Sequence, residues 1–360
     1  MTKGWTLRRF NHSDIQRVAE FRKSFPISPL VKCEEPEYHK WKCCSNPVQE
    51  GYIWLAEDGD RIVSTASMTP KRMKIMGREV LAAETGDTFT LPEYQGRGIF
   101  TSLVKSTTAE AVKKGVNFIY GLPNNDSLPG YINKLDYGQI TSPALWYLGW
   151  PLNIKKILKQ KTKSSLLASV LSLPLKIISA AVFKLATMKV GGTDISVSQV
   201  SSFPEDIVKL WERVSSNYDI MLVRDKKYLD WRYVAAPNRD SYLKLIARSR
   251  EGEVLGYMIG RVSEMDDRMC GFMVDFLTLE DNTRVFKKLV LALFEVFRKE
   301  EVDIMSAWTM KGSFYYKTLV RLGFLPWTKI LLICYKNELG DKILNNAYKW
   351  HFTQGDSDGI

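Results

Sequence analysis

The chain reads as a mixed α/β protein built from two tandem copies of one unit. Three observations predict this. The 360 residues are about two domains' worth at roughly 100–200 residues each. One half echoes the other in sequence. Within each half, strand-like and helix-like runs follow as helix, hairpin strands, a longer strand, helix, strand, helix and strand, an order with crossover units after an antiparallel start.

The echo sets the order of the elements. Tyr38-x-x-Trp41-Lys42, followed by Pro47 and Tyr52, returns as Tyr228-x-x-Trp231-Arg232, Pro237 and Tyr242 at the same spacings. Each second tyrosine opens a strand-like run split by an Asp/Gly/Glu turn, as in a β-hairpin. Asp87-Thr-Phe-Thr-Leu91 then matches Asp275-Phe-Leu-Thr-Leu279. A helix-like stretch comes next in each half, then VNFIYGL against VDIMSAW, then a second helix and an aromatic strand start, KLDYGQ against RLGFLP. Several matches in one order at a near-constant offset mark a duplication. In the first copy TGDTFTL alternates and is β-branched, so it is a strand. After Gly98, the residues Ile99, Leu103, Val104 and Ala111 recur at helical spacing, and Gly115 suits the C-cap.

Composition narrows the function. At 45% hydrophobic and 12% aromatic, disorder is excluded. Lys and Arg number 51 against 40 Asp and Glu, a net +11, which favours polyanions, anionic membranes or phosphorylated co-substrates. The basic residues cluster with aliphatics rather than stacking aromatics, against nucleic acid. Five scattered cysteines and three unpaired histidines offer neither a disulfide framework nor a metal site. No GxSxG elbow or GxxxxGK[ST] loop occurs. The start, MTKGWTLRRF, lacks a signal-peptide core, so a cytoplasmic setting is expected.

The segment Leu91-Pro-Glu-Tyr-Gln95-Gly96-Arg97-Gly98-Ile99-Phe100 ends a strand, turns on two glycines and starts a helix. Free N–H groups and the positive helix end then converge on one point, which suits a pyrophosphate. The segment resembles the Gln/Arg-x-x-Gly-x-Gly/Ala loop of the GNAT superfamily of acyl-CoA N-acyltransferases. The resemblance covers roughly residues 5–140 by motif and 195–335 by architecture. It implies two GNAT-like domains, each a mixed, mostly antiparallel sheet with splayed fourth and fifth strands, flanked by helices. It also implies acetyl-CoA as co-substrate, with its pyrophosphate on Gln95, Gly96, Arg97, Gly98, Ile99 and Phe100. The pantetheine arm would pair with the backbone of Phe89, Thr90 and Leu91. Asn124 or Asn125 would lie beside the co-substrate, or else cap the next helix.

Transfer to an amine needs a base and stabilisation of the leaving thiolate. Glu84 and Asp87 are the candidate bases. Asp87 is expected to be buried by its place in a strand, yet Asp275 stands at the matching place in the second copy, which suits a structural role in both. In the family a tyrosine of the closing helix supplies the acid. Here Tyr131 is one place early, about 100° around the helix, so it is the acid, or lines the acceptor cleft, or packs the core. Cys43 and Cys44 read as inert thiols or as a nucleophile. In the second copy Glu280 and Asp281 stand where a pyrophosphate would sit, so that half is expected to be degenerate.

From Tyr137 through Thr193 there is no Asp or Glu, and there are eight lysines. Pro174 and Lys176 interrupt the apolar run, which argues against a membrane span. The alternatives are an interfacial element on anionic lipid and a strut packed on the protein itself. The expected divisions are 1–140, a GNAT domain with the co-substrate loop; 141–193, the acid-free connector; 194–340, the degenerate GNAT-like domain; and 341–360, a C-terminal tail. The function expected is acetyl transfer from acetyl-CoA to an amine by direct attack. By resemblance to tandem proteins of bacterial surface-polysaccharide clusters, the acceptor is an amino sugar. The rival readings are an aminoacyl transferase of the peptidoglycan-bridge type and a non-catalytic module at the membrane.

Overall fold

The computed structural model describes residues 4–26, 30–188, 190, 194–279 and 282–358. The first half runs β1 (Thr6–Arg9), α1 (Ile15–Arg22), α2 (Pro36–His39), a π-helical turn over Lys40–Cys44, β2 (Tyr52–Asp58), β3 (Arg61–Ile75) and β4 (Arg78–Thr90). It continues through α3 (Ile99–Lys113), β5 (Phe118–Gly121), α4 (Leu128–Lys134), β6 (Tyr137–Gln139) and β7 (Leu145–Pro151). Helices α5 (Ile154–Thr162) and α6 (Ser165–Thr187) connect to the second half. There follow β8 (Ile195–Gln199), α7 (Ile207–Ser215), β9 (Ile220–Leu222), α8 (Lys226–Tyr233), β10 (Tyr242–Ser249), β11 (Val254–Met265) and β12 (Arg268–Thr278). The chain closes with α9 (Thr283–Lys299), β13 (Ile304–Met310), α10 (Phe314–Arg321), β14 (Leu325–Ile330), β15 (Ile333–Tyr335) and α11 (Glu338–Leu344).

Local chemistry explains the shared pattern. The β3–β4 turn places Met76 and Gly77 at φ 49° and 78°, and the β11–β12 turn places Asp266 and Asp267 at 50° and 59°. Two consecutive positive φ values make the I′-type turn whose twist matches a hairpin. On α3 the residues Ile99, Leu103, Val104 and Ala111 are buried, as their spacing predicts. Gly115, at φ 89°, ends that helix, and Val116 N–H reaches back to Ala111 O at 3.0 Å.

The sheets are mixed and mostly antiparallel, with one parallel pair in each half, β4–β5 and β12–β13. Their strand orders are β1-β2-β3-β4-β5-β15-β6 and β14-β7-β13-β12-β11-β10-β8. The two halves exchange their last strands. β7 lies between β13 and β14, while β15 returns to lie between β5 and β6. Boundaries drawn at residues 140 and 194 therefore do not follow sheet membership, because each sheet is completed by a strand from the other half. β9 also pairs with β3, Met73 facing Leu222.

The echoed tryptophans meet where the halves join. Trp41 and Trp231 stack with centroids 4.7 Å apart at 17°. Each indole N–H donates to the other's backbone carbonyl, at 2.9 and 3.3 Å. One apolar core runs through both sheets, from Trp41 and Phe118 to Phe276 and Leu319, and a second, around Leu55, Val63 and Leu103, packs against the first sheet. Trp41→Ala or Trp231→Ala should cost about 3–5 kcal/mol and leave a single cooperative transition. Denaturant unfolding followed by fluorescence and circular dichroism checks this. Two separate transitions in the unsubstituted protein would contradict the shared core.

Candidate active site

A wedge opens in the first sheet. The β4–β5 register ends at Thr85 facing Gly121, but β4 runs on to Thr90 while the chain after Gly121 turns away toward α4. On its other edge β4 carries a bulge. Gly86 faces Ser67 and Phe89 faces Thr65, so Asp87 and Thr88 share one partner position. Such bulges re-aim side chains, and here Asp87 sits at φ 45°.

The predicted cradle lies at the end of this strand. After a 3-10 turn over Pro92–Tyr94, Gly96 and Gly98 adopt φ 74° and 78°. A Cβ on either would meet nothing within 4 Å, so the space above the turn is open. No side chain caps the start of α3, and its first-turn N–H groups have no partner within the helix. Arg97 is exposed, with its guanidinium 4.8 Å over Tyr94 and one N–H on Glu93 O at 2.7 Å. Gln95 donates to Thr90 O at 3.2 Å. The side chains of Leu91 and Ile99 point into the core, so only their backbone faces the turn. Phe100 stands where the family loop has a small residue. Its ring packs edge-on to Tyr131 at 5.3 Å and fills the space beside Gly130, where a Cβ would come within 2.7 Å of it. Phe89 faces α1, with the Arg22 guanidinium 3.5 Å over its ring.

Asn124 accepts from Ser127 N–H at 2.9 Å and its hydroxyl at 2.8 Å, which closes the turn before α4; Asn125 is exposed. In the second half the corresponding helix start is filled. Asn282 accepts from Arg284 N–H and Val285 N–H at 3.1 and 3.2 Å. Glu280 and Asp281 lie outside the described residues.

The two carboxylate candidates differ sharply. Glu84 is buried, 2.9 Å from Lys71 Nζ, and accepts the Asp358 N–H at 3.0 Å. Burial pushes its carboxyl up to about 7; Lys71 opposes the rise and the Asp358 carboxylate reinforces it. Asp87, expected to be buried, has a side chain 27% exposed and 2.6 Å from Lys42 Nζ. The bulge turns it out of the alternation that the strand pattern implied. Burial alone would raise its carboxyl, but Lys42 holds it below the usual range. Its counterpart Asp275 is fully enclosed, receiving Arg224 Nε at 3.2 Å, Tyr257 OH at 2.9 Å and Thr353 Oγ1 at 3.0 Å. That is a structural anion.

Tyr131 lies at the mouth of the wedge. Its hydroxyl is 3.2 Å from Thr85 Oγ1, the last paired position of β4, and burial pushes its phenol up. Cys43 is buried, burial raises its thiol, and the nearby His39 instead meets Cys33 O at 2.8 Å.

Sequence reasoning missed Lys42, Lys71 and the chain end. Residues 341–360 were expected as a tail; Asp341–Leu344 instead close α11, and Trp350–Asp358 are buried between the halves. Arg224 pairs with Asp356 at 2.8 Å, Tyr120 OH donates to Asp356 O at 2.6 Å, and Lys71 reaches Asp358 at 2.8 Å. The signal available for Lys42 was its echo in Arg232, a buried cation in each half. The run TQGDSDG carried no comparable signal.

Residues 6–140 match the family of GNAT acetyltransferase domains. No curated protein matches the chain. Among solved structures, the chain is similar to a conserved protein of unknown function, a probable N-acyltransferase, from Enterococcus faecalis. That match has TM-score 0.59 and 16% identity over 92% of this chain and 72% of the other. It is also similar to Saccharomyces cerevisiae N-myristoyltransferase with bound myristoyl-CoA (TM-score 0.60, 12% identity, 93% and 80% covered). A GCN5-related N-acetyltransferase from Anabaena variabilis matches with TM-score 0.61 and 12% identity, 92% and 72% covered. At such identities the likeness is one of fold, and it extends over both halves. Residues 6–140 carry the match to a GNAT acetyltransferase domain, and the fold is that of two tandem GNAT-like units, which supports an enzyme of the acyltransferase class.

Proposed function

We propose that the protein moves an acetyl group from acetyl-CoA to an amine by direct attack, with an amino sugar of surface-polysaccharide synthesis as the acceptor class. The observation that carries this reading is the open glycine turn at α3, set at the end of the strand that lines the wedge. There the backbone N–H groups and Arg97 hold the pyrophosphate, and the free edge of β4 over Phe89–Leu91 receives the pantetheine arm. Asn125, exposed beside the wedge, is free to meet the co-substrate, whereas Asn124 is occupied in its turn.

The two carboxylates divide the work, since environments that push pKa values apart separate acid–base roles. Asp87, ionised and reachable, attracts the ammonium form of the acceptor. Glu84, close to neutrality, takes the proton, directly or through water. The amine nitrogen then bonds to the acetyl carbon, the C–S bond breaks, and the thiolate takes a proton from Tyr131. The second half binds no CoA and shapes the acceptor side. The setting is cytoplasmic, at an anionic inner-membrane surface that presents a lipid-linked acceptor.

Calorimetry should give one acetyl-CoA per chain, and amino sugars should provoke acetyl-CoA-dependent thiol release above the slow rate without acceptor. Two equivalent sites would refute the division between halves. Acetyl-CoA binding with no release across a panel of amines and amino sugars would refute the acceptor class.

A further inference from the structure

The connector folds as a hairpin of α5 and α6. One side of α6 is held down: Ser172 is buried, and Phe183 packs on Trp150 at 4.5 Å and on Phe294 at 4.8 Å. The outer side is bare. Leu166 is 79% exposed, Leu185 69% and Met188 68%, and Val170, Leu173, Ile177 and Ile178 stand out with them. At 100° per residue the exposed apolar positions cover about 200° of the helix, far more than the scattered apolar side chains of a soluble surface.

Charge says what covers this face. Lys155, Lys159 and Lys163 on or beside α5, with Lys176 and Lys184 on α6, are exposed. None has an ion pair among the described residues. Lys156 does, at 2.6 Å from Asp303. The hairpin itself supplies no carboxylate, and apart from Lys156 these exposed lysines are open to a counter-charge outside the chain. A second copy is a poor source, since a two-fold interface sets a patch against itself and would face lysines with lysines. No helix among the described residues is long and apolar enough to cross a membrane.

We propose that the outer face of α6 lies flat in an anionic phospholipid surface, its leucines and isoleucines among the upper acyl chains and the hairpin lysines at the phosphates. This deepens the membrane setting of the reading above and rests on it. It does not depend on the acyl-transfer chemistry, so acetyl-CoA binding in solution keeps the two failures apart.

Co-sedimentation of the full chain tests it, with vesicles of phosphatidylcholine alone or mixed with phosphatidylglycerol. The unsubstituted protein should bind the anionic vesicles at low salt at least about tenfold more tightly than the neutral ones, and added salt should weaken binding. Replacing Lys155, Lys159, Lys163 and Lys184 with Gln should weaken it by roughly tenfold or more. Replacing Leu166, Leu173, Ile177 and Leu185 with Gln should abolish it. Both variants should keep acetyl-CoA affinity and the thermal midpoint. Should the fourfold leucine variant fail to fold, Leu173→Gln and Leu185→Gln singly should each lower binding by roughly threefold or more. Equal binding to both vesicle types, no binding by the folded protein, or unaltered binding by the leucine variants would overturn the proposal. A lipid-independent dimer that the leucine variants dissociate would assign the face to a second copy instead.

Discussion

Replacing both glycines of the α3 turn, Gly96→Leu with Gly98→Leu, is expected to weaken acetyl-CoA binding by about 10²-fold or more while the protein stays folded. The turn is open, since a Cβ at either position meets nothing within 4 Å. The cost to folding is therefore conformational, from φ 74° and 78°, at roughly 1–2 kcal/mol per residue. That is a minority of a stability of about 5–15 kcal/mol. The cost to binding is larger, because side chains would fill the space through which a pyrophosphate reaches the N–H groups. Calorimetry reports the affinity and circular dichroism the fold. An unaltered Kd in a folded double variant would remove the turn from the site.

The second large effect concerns Glu84 and Asp87. Glu84→Gln should lower kcat by about 10²-fold and erase an ascending limb near pH 7 in kcat/KM. The sign follows from burial. The buried carboxyl is raised to about 7 from its ordinary 4.5, so the base is charged, and the rate rises, as pH climbs through that value. Stability runs the other way. Glu84's contribution is complete below its unfolded pKa and is lost as pH rises through the folded one, so Glu84→Gln should flatten the slope between about 4.5 and 7. Asp87 is held low by Lys42 and stays ionised across the working range. Its contribution holds above the ordinary carboxylate value and is lost only in acid. Asp87→Asn should therefore raise KM for the amine and leave the pH 7 limb in place. A limb that persists in Glu84→Gln would move the base elsewhere; full activity in both variants across pH 6–9 would dismiss the pair.

Glu84 and Asp87 also show where sequence reading ends. Both were legible as candidates from the strand that leads into the glycine turn. Their environments were not. The expectation of a buried Asp87 assumed a regular pleat, and one extra residue in the β4 ladder turned it toward solvent. The burial of Glu84 depends on Lys71 and on Asp358, whose N–H lies 274 residues further along the chain.

Signals carried by neighbouring residues were the ones the sequence determined: the duplicated unit, its mixed α/β order, the hairpins, the α3 stripe, and the two-glycine turn before α3. Periodicity, turn chemistry and helix ends depend on residues a few places apart, so one chain displays them. Which strand completes which sheet was decided only by the tertiary structure. A strand's own pattern does not name its neighbour: β7 falls inside the stretch expected as a connector, β15 was not singled out, and each completes the opposite sheet. The echoed tryptophans marked a repeat; only folding stacked them. The chain end read as a tail because its burial comes from contacts made by others, Arg224, Tyr120 and Lys71. A buried charge is tolerated only where distant partners neutralise it, and such partners have no address in the local sequence.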